Sequence, residues 1–64
     1  MNDHRLLLRP HEAGDALGVS RSKVYELIAS GELPSIRLGG SVRVPLEALH
    51  AWIGQQLTAQ AAAR

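Results

Sequence analysis

The sequence predicts a small α+β fold made of two short helices folded over a tight turn, a two-stranded hairpin, and a closing helix. Three observations carry this expectation. Apolar residues recur at helical spacing on both sides of Gly18. The period drops to two between Ser35 and Val44, around the turn signal Gly39-Gly40-Ser41. After Pro45 the helical period returns, with Leu46, Leu49 and Ile53 forming a stripe and Trp52 beside it. A chain of 64 residues has room for one domain and a thin core. We expect that single domain to occupy residues 1–64, with its ordered core over about 6–57.

The first two helices can be justified residue by residue. Residues 1–5 are polar and expected to be loose. Pro10 suits the first helical position, where its missing N–H costs nothing. Leu8 and Ala13 stand at the spacing of a hydrophobic staple, and Glu12 in the first turn suits the helix dipole. Helix 1 is therefore expected from Pro10 to about Leu17. Gly14 inside it costs about 1 kcal/mol against alanine, which implies that a second helix must pass close by. Gly18 supplies the sharp turn, and Ser20 stands where an N-cap is needed. Helix 2 runs from Arg21 to about Ser30, burying Val24, Leu27 and Ile28 with Val19 before them. Gly31 then serves as the C′ residue, and Pro34 blocks continuation. Two helices so spaced are a helix-turn-helix, which can push the N-terminal residues of its second helix into the DNA major groove.

The hairpin has two candidate registers. A two-residue Gly39-Gly40 loop sets Leu38 opposite Ser41 and mixes apolar with polar on each face. A three-residue loop, Gly39 to Ser41, pairs Leu38 with Val42 and Ile36 with Val44, and we prefer it because it collects all four apolar residues against the core. It also sets Arg37 opposite Arg43, which is unfavourable in a free hairpin but suited to a phosphate backbone. Pro45 is then expected to start helix 3 at its first position. That helix runs to roughly Gly54 or Leu57, and the alanine-rich tail from Thr58 either extends it or frays.

Composition narrows the function. Hydrophobic residues make up 45% of the chain, too many for disorder, and cysteine is absent, which removes disulfides and thiolate metal sites. One Tyr and one Trp are too few for a stacking platform on single-stranded nucleic acid. His4, His11 and His50 lack ligand partners at helical spacing, so neither a metal nor another cofactor is expected. There is no catalytic carboxylate pair, no Ser-His-Asp set and no phosphate loop, so we expect no enzyme. The Leu6-Leu7-Leu8 run is too short for a signal segment or a membrane span, and residence in the cytoplasm is the default. Net charge is only +1, but Arg21, Lys23, Arg37 and Arg43 lie in two stretches free of acidic residues. Such segregation builds a positive face on a nearly neutral molecule.

From Leu7 to Leu57 the chain resembles the excisionase-type winged-helix domain related to MerR-type regulators. The matching pieces are Pro10-His-Glu-Ala, Leu17-Gly-Val-Ser-Arg-Ser-Lys-Val-Tyr, Gly31-Glu-Leu-Pro, Ile36-Arg-Leu-Gly, Val42-Arg-Val-Pro and Leu46-Glu-Ala-Leu-His-Ala-Trp-Ile. The resemblance implies a winged helix-turn-helix, with helix 2 in the major groove and the hairpin wing along the adjacent minor groove or phosphates. There are two departures. Arg9 stands at the N-cap of helix 1, where the family usually has Thr or Ser, so that helix start should be weaker. Gly40 occupies a wing-tip position that is often basic, so wing contacts should lean on Arg37 and Arg43.

The expected DNA-binding residues are Ser20, Arg21, Ser22, Lys23 and Tyr25 on helix 2, and Arg37, Gly39, Gly40, Ser41 and Arg43 on the wing. Arg21 and Lys23 are placed for base edges or phosphates. Ser20 serves mainly as a cap, and Tyr25 has a hydroxyl for phosphate. The leading reading is a double-stranded DNA binder of excisionase type, which bends an attachment site and works with an integrase. A small MerR-like transcriptional regulator is the runner-up, and a protein-interaction adaptor is the reading from another class. With no long heptad helix, the free protein is expected to be a monomer that associates head to tail on tandem DNA sites.

Overall fold

A computed structural model describes residues 5–62. The expectations for residues 1–4, including His4, and for the last two residues of the tail lie outside the described residues. In chain order the elements are β1 (Leu7–Leu8), α1 (Pro10–Leu17), α2 (Arg21–Ala29), β2 (Ile36–Leu38), β3 (Ser41–Pro45) and α3 (Leu46–Ala62). Three helices and a small antiparallel sheet form the expected α+β winged arrangement.

The α1–α2 corner follows its local signals. Gly18 adopts the left-handed conformation at φ 77°, and Ser20 caps α2 by accepting a hydrogen bond from the Lys23 N–H at 3.1 Å. Gly14 is the point of contact. A Cβ there would stand 2.9 Å from the Val19 carbonyl oxygen and 3.4 Å from Val24 Cγ2. The Val19 N–H also donates to the Gly14 carbonyl at 2.9 Å, which ties the turn to α1. Gly14→Ala should therefore destabilise the domain. Overpacking costs about 1–3 kcal/mol, only partly offset by the ~1 kcal/mol gained in helix propensity. A melting temperature at or above wild type would contradict this packing.

The start of α1 has Arg9 at the N-cap, as expected. Arg9 offers no side-chain cap, yet Glu12 accepts from the Arg9 N–H at 2.8 Å and pairs with Arg5. The carboxylate satisfies the N–H of the N-cap residue itself, one half of a capping box, while Arg9 has no side-chain acceptor for the first-turn amides. At the other end of the motif, Ser30 caps α2 and Gly31 follows at φ 83°.

Strand β1 was not anticipated. Leu7 pairs with Pro45 and Leu8 with Val44, giving the sheet order β1-β3-β2. The Leu46 N–H donates to the Leu6 carbonyl at 2.8 Å and fastens the same segment to the start of α3. Two residues carry no detectable period, so only the partner strand defines them. Pro45 is the last residue of β3 rather than the first of α3, and α3 continues to Ala62.

The hairpin register is the larger correction. Ile36 pairs with Arg43, Arg37 with Val42 and Leu38 with Ser41, so the loop is the two-residue Gly39-Gly40 turn. Gly39 has φ 64° and Gly40 lies outside the positive region, the pattern of a type II′ turn, whose twist matches the flanking strands. Burial fixes register only where a face is buried. On this hairpin that holds only near Val44, at the end far from the turn, where Val44 is fully buried. Ile36 and Leu38 therefore do not face the core; they are 40% and 53% exposed.

The core consists of Ala13, Val24, Leu27, Leu33, Val44 and Leu49, with Leu8, Leu17, Ile28, Leu46 and Trp52 packed around it. Val19 and Ile53, expected inside, are both exposed. On α3 the buried side runs through Leu49 and Trp52, one position off the expected Leu49–Ile53 stripe.

Candidate nucleic-acid interface

The site is built on the first turn of α2. That helix is held at its start by the Ser20 cap and braced across Gly14, while Val24 and Leu27 bury its opposite side. This leaves Arg21, Ser22, Lys23 and Tyr25 exposed together. Among the described residues Arg21 has no ion-pair partner. Lys23 Nζ lies 3.4 Å from Glu26 Oε1, a solvent-exposed pair that a phosphate can readily displace. The Ser20 oxygen is occupied as the cap acceptor, which leaves its O–H as a donor. A helix N-terminus with free amides, two cations and hydroxyl donors is suited to phosphate and to base edges.

The wing is the second part. Gly39 and Gly40 form its tip, with Ser41 half-buried beside them, Arg37 exposed and Arg43 partly buried. The observed register overturns the expected Arg37–Arg43 pairing. Directly opposed residues share a face, so Arg37 lies on the face of Val42 and Val44. Arg43 lies on the other face with Ile36 and Leu38. The Arg43 Nη1 donates to the Val42 carbonyl at 2.9 Å, which steadies the guanidinium and leaves its other donors available. No acidic residue occurs between Glu32 and Glu47, so the whole wing is electropositive.

Ile36 and Leu38 are the wing residues that sequence reasoning misplaced. The signal available was the Gly-Gly dipeptide, a strong marker of a two-residue hairpin turn. No group of three His, Asp or Glu residues placed to hold a metal ion occurs among the described residues. Nor is any helix there long and apolar enough to cross a membrane.

Residues 7–57 match the family described as "Helix-turn-helix domain". The chain is 45% identical over 51 residues to the "Excisionase" of Streptomyces ambofaciens, covering 80% of this chain and 82% of that one. It is 40% identical over 60 residues to the "Probable excisionase" of Saccharopolyspora erythraea, covering 94% of this chain. The chain spans only 61% of the length of that second relative. No solved structure matches the chain. With a helix-turn-helix match over most of its length and an excisionase alignment across most of both chains, the protein belongs to the excisionase-type helix-turn-helix DNA-binding family.

Proposed function

We propose that this protein is an excisionase that binds and bends double-stranded DNA at the attachment site of a phage or integrative element. It has no catalytic role of its own and works in the cytoplasm with an integrase. The observations that carry this reading are the exposed, Ser20-capped first turn of α2 and the acid-free wing, in a chain 45% identical to an excisionase. Arg21, Ser22 and Lys23 are assigned to the major groove and Tyr25 to a flanking phosphate. Arg37, Gly39, Gly40, Ser41 and Arg43 are assigned to the adjacent minor groove and its phosphates. One helix turn and one wing bury roughly 600–1,000 Å² on DNA, so a single site is held weakly. Affinity then comes from copies associating head to tail on neighbouring sites.

The test has two stages. Affinity for duplexes selected from a random library should fall steeply with salt, as phosphate neutralisation requires. A salt-insensitive chain that instead retained a protein partner would point to an adaptor. In the second stage, the integrase of the same element is mixed with a substrate carrying both hybrid attachment sites. Adding the chain should raise excision, and DNA binding without any change in excision would leave a transcriptional regulator. Sedimentation should show a monomer without DNA, with per-site affinity rising as sites are added.

A further inference from the structure

The wing carries an apolar ridge that neither the core nor the phosphate contacts explain. Leu38 is 53% exposed and forms the last strand pair before the turn; Ile36, 40% exposed, follows on the same face. Beyond them the tip is unusually slim. Gly39 needs glycine for its positive φ, but Gly40 does not, and a Cβ added there would meet nothing within 4 Å. The fold therefore leaves Gly40 free to carry a side chain, so its smallness points to close approach by something outside the molecule.

We propose that the wing lies in the minor groove with its ridge face turned toward the base edges and that Leu38, beside the slim tip, is an apolar wedge pressed between two base pairs, with Ile36 supporting it. This rests on the DNA-bending reading above and names the side chain that produces the bend. The minor groove is about 6 Å wide, so a glycine-only tip fits where a larger turn would not. Arg43 shares the ridge's face with Ile36 and Leu38, while Arg37 lies on the opposite face, so a cation stands on each side of the hairpin to meet the phosphates that flank the kinked step. The absence of acidic residues from Leu33 to Leu46 removes any repulsion along that path. An aliphatic side chain inserted at a base step partly unstacks it and kinks the duplex toward the major groove. The ridge is thus continuous with the DNA-binding surface, and its charged flanks match the polyanion rather than a second protein.

The experiment uses the full chain and the short single-site duplex it enriches from a random library. 2-Aminopurine is scanned through the flanking minor-groove steps, and the bend is read by energy transfer between end labels. Wild type should raise the fluorescence at one step and bend the duplex. Leu38→Ala should lose the rise, lower the bend and weaken binding about tenfold, while Leu38→Phe, still a wedge, keeps both signals. Because Leu38 is exposed, both variants should melt with wild type. Retention of the fluorescence rise and the bend in Leu38→Ala overturns the wedge while leaving DNA binding intact. In a parallel titration of duplexes carrying two and three copies of the site, a Leu38→Ala defect confined to those duplexes also overturns it, by assigning the ridge to contacts between copies. A wild-type chain that binds without bending overturns both the wedge and the bending reading, and one that enriches no sequence overturns DNA binding itself.

Discussion

Leu33→Ala is expected to unfold a large fraction of the protein at room temperature. Leu33 is 1% exposed and is one of the three largest fully buried side chains, with Val24 and Val44. Its N–H also donates to the Leu27 carbonyl at 3.0 Å, so the segment after α2 is held back over the core. Truncating a buried leucine costs about 2–5 kcal/mol. A domain of this length has only about 3–10 kcal/mol in total, and there is no disulfide to limit the loss. Urea denaturation followed by circular dichroism at 222 nm should show a much lower midpoint. Leu38→Ala, five positions along the chain, should leave the midpoint within error because Leu38 is exposed. Equal effects of the two substitutions would mean that the core is drawn wrongly. The pair also separates stability from binding, since Leu38→Ala is expected to impair DNA bending without affecting the fold.

Leu33 and Leu38 also mark where the sequence could be read and where it could not. The helix-turn-helix was legible because its determinants are local. Ser20 caps α2 through the N–H of Lys23 three residues on, Gly18 makes a turn on its own φ, and Val24, Leu27 and Ile28 repeat at helical spacing. The exposed first turn of α2 followed directly from that stripe. Leu33 was not marked as core because it sits in an irregular segment with no period, between Gly31 and Pro34. Strand β1 escaped because pairing with β3 defines it, a non-local contact that two leucines cannot announce. The wing register failed for a related reason. Collecting Ile36, Leu38, Val42 and Val44 on one face presumed a core beneath the whole hairpin, whereas the core ends near Val44 and the Gly39-Gly40 turn sets the rest. A ridge of aliphatic side chains at a wing tip breaks the hydrophobic pattern, and such breaks are expected where a surface has work to do on a partner.

Arg21→Ala and Arg43→Ala should divide specificity from affinity. Arg21 is the first residue of α2, exposed, and unpaired among the described residues, so its full fork of donors can meet a base edge. A bidentate contact to guanine is worth about 1–3 kcal/mol of discrimination. Arg21→Ala should therefore lose that much at the selected site while binding a scrambled duplex nearly as wild type does. Lys23→Ala should show a smaller effect, since Lys23 already shares its charge with Glu26 at 3.4 Å. Arg43 has one guanidinium nitrogen bonded to the Val42 carbonyl at 2.9 Å and stands on the wing, where contact with phosphate carries no sequence information. Arg43→Ala should weaken both duplexes alike and reduce the slope of log affinity against log salt by about one. Arg37→Ala should behave the same way from the other face of the hairpin. Fluorescence titrations of each variant against selected and scrambled duplexes over a series of salt concentrations give both quantities at once. If Arg21→Ala lowered affinity for both duplexes equally, the first turn of α2 would be reading the backbone rather than the bases. Sequence choice would then have to come from how readily the DNA bends around the wing.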